Sequence, residues 1–137
     1  MRASVLAVGA LIVGALPQKA SAGDLAYTCI IEAVYDLSDD GFLEKSGWDE
    51  RFRDETFSVS RVTGEIIGGV VPTLLARSTH VLHPGDSEWS FRAMAVFRTN
   101  GYQLIQLIDV QEFLSGKIKP FVVSSMGGAG MVTGTCR

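Results

Sequence analysis

The sequence predicts an all-β domain: a small antiparallel barrel or sandwich of about eight strands. Three observations carry this reading. The chain falls into short runs in which apolar and polar residues alternate. Fifteen glycines and several turn dipeptides separate those runs. No long stretch shows the three-to-four-residue repeat of an amphipathic helix. The alternative is an α+β fold with one short helix. It arises from "VVPTLLARS", where Pro72 suits the first position of a single helical turn or an irregular edge.

The first strand is "AYTCIIEAVYDL". Period-two alternation places Tyr27, Cys29, Ile31, Ala33 and Tyr35 on one face, with Ile30 and Val34 on the other. An acidic stretch follows, with a short strand at Phe42-Leu43-Glu44. In "ETFSVSRVTGEIIGG", Phe57 and Val59 alternate with Ser58 and Ser60, and Gly64 supplies the positive φ of a hairpin. "THVLH" reads as a strand ended by Pro84-Gly85. "WSFRAMAVFRTNGYQLIQLIDV" is a second hairpin, with Trp89, Phe91, Ala93, Ala95 and Phe97 on one face and Asn100-Gly101 at the turn. "KPFVVSS" and "GMVTGTCR" give the last two strands, joined by "MGGAG".

The chain opens "MRASVLAVGALIVGALPQKASAGD". Arg2, an apolar run from Val5 to Leu16, the breaker Pro17 and small residues at Ala20-Ser21-Ala22 follow the order of a secretory signal. The run is too short for a bilayer, which needs roughly 20 residues. We therefore expect a signal peptide at 1–22 and a single β domain at 23–137, periplasmic or secreted, with no membrane span. Arg2 and Lys19 leave with the signal, so 10 of the 12 basic residues remain against all 15 acidic ones. That balance argues against nucleic acid or anionic lipid as a partner. Cys29 and Cys136 are the two cysteines of the chain. In an oxidising compartment such a pair predicts one disulfide that pins the first strand beside the last.

Three motifs bear on chemistry. In "DLSDDGFLEKSGWDE", Asp36, Ser38 and Asp40 take alternate positions of a calcium loop and Gly41 takes the sixth. The twelfth position is Gly47 rather than a bidentate Glu, and the preceding segment is a strand. The stretch is read as a turn, and the alternative is a weak calcium site at Asp36, Ser38 and Asp40. His80 and His83 are spaced to share a helix face, but on a strand they fall on opposite faces. No serine lies in a G-x-S-x-G elbow, and "MGGAG" lacks the lysine of a phosphate loop. Arg61 is expected near Glu65 across its turn, as a structural pair. These readings name no catalytic residue, no cofactor and no metal centre.

Ten of the fifteen acidic residues lie between Asp24 and Glu55. On one face they would attract a basic protein and speed its association. Asp39, Asp40, Glu44, Asp49 and Glu50 are the candidate contacts, with Trp48 as an aromatic anchor beside Phe52.

"FSVSRVTGEIIG" and "KPFVVSSMGGAGMVTGTC" resemble segments of uncharacterised small exported proteobacterial proteins. In those, a Cys-bearing first strand precedes F-x-V-x-R-x-T-G-x-x-x-G and a closing T-G-x-C. The resemblance implies no activity. "YTC" near the mature start is similar to that of periplasmic lysozyme inhibitors, also small disulfide-closed β-barrels. "SMGGAG" only loosely matches their inhibitory loop, and the lysine expected near it has no secure counterpart here. The expectation is an exported, non-enzymatic, inhibitor-like binding protein. A small envelope hydrolase and a structural envelope protein without ligand are the other classes.

Overall fold

The computed structural model describes residues 25–126 and 130–137. The expected signal peptide, 1–22, and the middle of "MGGAG" lie outside them. The described residues form nine strands: β1 Ala26–Leu37, β2 Leu43–Lys45, β3 Thr56–Ser60, β4 Ile66–Gly68, β5 Ser78–Pro84, β6 Phe91–Thr99, β7 Tyr102–Val110, β8 Lys119–Met126 and β9 Gly130–Cys136. One short helix, α1, spans Asp49–Phe52. The strands form a single sheet in the order β4-β3-β1-β9-β8-β7-β6-β5, with β2 also paired to β1. All eight pairings are antiparallel. No described helix is long and apolar enough to cross a membrane.

The sheet curls into a half-barrel. Tyr27 and Phe91 sit on strands separated by three others, yet their ring centroids are 5.2 Å apart. Phe57 and Phe121 meet edge-to-face at 5.1 Å. The concave face holds the core. Cys29, Ile31, Val59, Phe91, Val110 and Val123 are all essentially without solvent contact. At the open seam, Gly64 has φ +76, and a Cβ there would stand 2.8 Å from that of Ala93. The β3–β4 turn thus touches the far side of the same sheet through a residue that has no side chain.

Two departures from simple alternation follow from bulges. In β1 the register with β9 shifts between Ile31 and Ala33. Tyr27, Cys29 and Ile31 face inward as expected, but after the shift Val34 is buried and Tyr35 is only half-buried. Gly134 faces the bulge, where an added Cβ would run into the Ile30 carbonyl oxygen and come within 3.0 Å of the Glu32 nitrogen. The glycine of "TGTC" is therefore what lets β9 approach β1 there. In β5 the register shifts between Val81 and His83. His80 lies opposite Met94 and His83 opposite Arg92, so both point outward, not to opposite faces. His83 accepts the Gly85 N–H on Nδ1 at 3.1 Å and lies beside Trp89.

Cys29 and Cys136 are direct register partners and form a disulfide across 107 residues. Both are buried. Such a bond persists in an oxidising compartment. Among the described residues the one helix is at Asp49–Phe52 rather than at Pro72. The Pro72 segment is irregular and closes on β4, where buried Thr73 substitutes for a strand partner. Its hydroxyl accepts the Ile66 N–H at 2.8 Å, and its own N–H donates to the Ile66 carbonyl at 3.0 Å.

Candidate binding site

One edge of β1 is shared. β3 pairs with its first part, up to Ile30, and β2 with its last part, from Tyr35. The residues between face no strand on that side, and buried backbone groups there require other partners. The 46–55 segment supplies them. Ser46 N–H donates to the Val34 carbonyl at 2.9 Å and Asp54 N–H to that of Ile31 at 2.8 Å. The Val34 N–H donates to Asp49 Oδ1 at 2.8 Å. Asp49 Oδ2 is paired with Arg53 and lies 3.6 Å from Lys45 Nζ. The backbone hydrogen bond from Val34, then the one from Arg53, hold the Asp49 carboxyl below its usual range.

Asp49 was expected among the partner contacts. It is instead 4% exposed and fully engaged inside the fold. The other acidic candidates are on the surface. Asp39 and Asp40 lie at the tip of the β1–β2 hairpin, Glu44 lies on β2 and Glu50 on α1, all exposed. The hairpin is a tight turn: Gly41 has φ +84, and the Ser38 hydroxyl accepts the Phe42 N–H at 3.1 Å. Asp36 lies directly across the ladder from Glu44. Asp36, Ser38 and Asp40 are thus spread over a strand and its turn. Among the described residues no three His, Cys, Asp or Glu side chains form a group that could hold a metal.

Between Asp36 and Glu55 there are eight acidic and three basic residues, and the rest of 23–137 has seven of each. The net charge of −5 expected for the mature domain is that of this one segment. Its three bases are already committed. Lys45 and Arg53 face Asp49, and the Arg51 guanidinium lies 5.6 Å from the centroids of both Trp48 and Phe52. Asp36, Asp39, Asp40 and Glu44 form no ion pair among the described residues.

Beside this acidic end, α1 and the segment after β4 roof the concave face of the sheet and leave a cleft of about 330 Å³. Trp48 and Phe52 form one wall, Val70 and Val71 another, and Val123 and Val132 the floor. Asp36, Ser46, Gln106 and Ser125 are among its polar lining groups, and among the described residues no Lys, Arg or His lines it. Gln106 Nε2 donates to the Val71 carbonyl at 2.9 Å and so fixes the roof to β7. The sequence marked Trp48 and Phe52. It gave no sign of Val71, Gln106 or Ser125, because the cleft exists only once remote strands are brought together.

No protein-family model, curated protein or solved structure matches this chain. The site therefore rests on its own geometry.

A second polar cluster lies toward the other end of the strands. The Tyr27 hydroxyl donates to Glu112 Oε2 at 2.8 Å, and Arg61 lies 3.9 Å from Glu112 Oε1 and 4.8 Å from the Tyr27 ring centroid. Arg61 thus reaches a different strand connection rather than Glu65, whose carboxylate takes the Thr63 hydroxyl. Burial, then the hydrogen bond to Glu112, pushes the Tyr27 phenol well above its usual range. Each group in the cluster is partnered, which makes it a brace between β1, the β3–β4 turn and the β7–β8 connection.

Proposed function

We propose that this is an exported binding protein, periplasmic or secreted, that holds a basic protein through its acidic end. The observation that carries the reading is the charge distribution. All the expected net charge of the mature domain sits in residues 36–55, and the bases of that segment are turned onto Asp49 and the aromatic rings. The segment's excess of five carboxylates over bases projects a net negative field, which steers a cationic partner and fixes its orientation. The disulfide supports an oxidising compartment, and the inhibitor-like role is proposed by analogy with periplasmic lysozyme inhibitors in size, compartment and charge.

A c-type lysozyme is the first probe, because it is small, basic and of the partner class that the resemblance implies. Isothermal titration calorimetry at low salt and at about 0.5 M salt, where charges are screened beyond a few Å, tests the reading. A complex at low salt that weakens at high salt and is lost on Asp39→Lys with Asp40→Lys supports it. A panel of basic proteins that gives no salt-dependent complex overturns it. Export is read separately, from the N-terminus and fraction of the protein recovered from cells.

A further inference from the structure

We infer that the cleft beneath α1 is an anchor pocket for one large apolar side chain, carried on a basic peptide segment of the partner. This rests on the proposed binding role and adds to it the chemistry of what is bound.

The pocket is small. Clefts for complete small-molecule ligands span roughly 300–1,000 Å³, and about 330 Å³ lies at the lower bound. Its walls are two aromatic rings and several valines, and the amide nitrogen of Gln106 is already bonded to the Val71 carbonyl. An apolar group entering it packs against those rings and valines, and aromatic and aliphatic anchors of this kind carry much of the energy of many interfaces.

The rim identifies what the anchor is attached to. Asp36 lines the cleft and lies directly across from Glu44, and neither has an ion-pair partner among the described residues. Like charges facing each other across a ladder repel, and a cation from outside removes that repulsion. Asp39 and Asp40 continue the negative rim at the hairpin tip. A lipid acyl chain or a neutral hydrophobe would fill the walls and leave the rim uncompensated. A lysine- or arginine-flanked tryptophan or leucine satisfies both at once.

The test uses two synthetic probes, the peptide Lys-Arg-Trp-Arg-Lys and the same peptide with glycine in place of tryptophan. Affinity for each is measured by fluorescence anisotropy, with wild-type protein and with Ser125→Trp, which puts a large side chain into the cleft and leaves every rim carboxylate in the sequence. The inference expects the tryptophan peptide to bind at least tenfold more tightly to wild type. It also expects Ser125→Trp to bring the two peptides level, and salt to weaken both. Equal, salt-sensitive binding of the two peptides to wild type overturns the anchor and leaves the acidic-end reading standing. Preference for tryptophan that salt does not weaken overturns the basic segment. Failure of both peptides to bind overturns the inference, and the lysozyme titration then decides the parent reading independently. The wild-type comparison alone is decisive if Ser125→Trp does not fold.

Discussion

Asp49 Oδ1 accepts the Val34 backbone N–H at 2.8 Å, in the stretch of β1 where neither β2 nor β3 provides a strand partner. A side chain thereby continues the sheet edge across a gap, and the helix that carries it becomes the wall of the cleft. The same carboxylate pairs through Oδ2 with Lys45 and Arg53, so the side chain that completes the sheet also neutralises two exposed cations.

Replacing Asp49 with alanine is therefore expected to lower the melting temperature and loosen α1. The folded pKa of Asp49 is depressed. Its contribution is complete above the unfolded carboxylate value of about 4 and is lost as pH falls through the lower folded value. The melting-temperature gap between wild type and Asp49→Ala should be wide at neutral pH and should narrow on acidification below pH 4. A gap independent of pH would show that the charge on Asp49 is not what stabilises the edge.

Gly134→Ala is expected to destabilise by about 2–4 kcal/mol, because the new Cβ meets the Ile30 carbonyl and the Glu32 nitrogen on paired backbone that cannot turn aside. Gly47→Ala is the control, since a Cβ there meets nothing within 4 Å. Urea midpoints of the two variants should separate clearly. Equal midpoints would mean that the β1–β9 pairing relaxes around the bulge.

The Cys29–Cys136 bond closes nearly the whole domain. Substituting both cysteines with alanine should cost up to about 4–5 kcal/mol, the chain-entropy value for a loop of this length. Because both sulfurs are buried, reductant should act on the folded protein only slowly and should lower the melting temperature once unfolding admits it.

Tyr27→Phe removes a hydrogen bond to a charged partner and is expected to cost about 1–2 kcal/mol. The raised Tyr27 pKa places its stabilising effect below the usual tyrosine range of about 10, to be lost as pH rises toward the folded value. In an ultraviolet titration, a tyrosine step above the usual range should be present in wild type and absent in Tyr27→Phe.

The hairpins were legible in the sequence because they are local. Asn100-Gly101 takes positive φ at both residues and sets the β6–β7 register, as its dipeptide implies. The end-to-end disulfide followed from cysteine count and position. The inward set of β1 was legible only as far as Ile31. A bulge adds one residue to a strict period of two, and nothing in "IIEAV" marks it except Gly134, far away in the chain. Asp49 was misplaced on the surface for a related reason. A carboxylate flanked by Trp48 and Glu50 looks solvated until the gap in β1 is seen, and that gap is set by where β2 and β3 end. The cleft could not be read in advance, since Val71, Gln106 and Ser125 meet only in the curled sheet.

The central claim is that a basic partner docks at the α1 end. The chain has two tryptophans: Trp48 on the wall of the cleft and Trp89 beside His83 toward the other end of the strands. Their two indole N–H signals in a ¹⁵N-correlated NMR spectrum report the two ends separately. On titration with lysozyme or the tryptophan peptide, the account predicts that the Trp48 signal shifts and saturates while the Trp89 signal stays in place. Movement of Trp89 alone, or of neither, would contradict it.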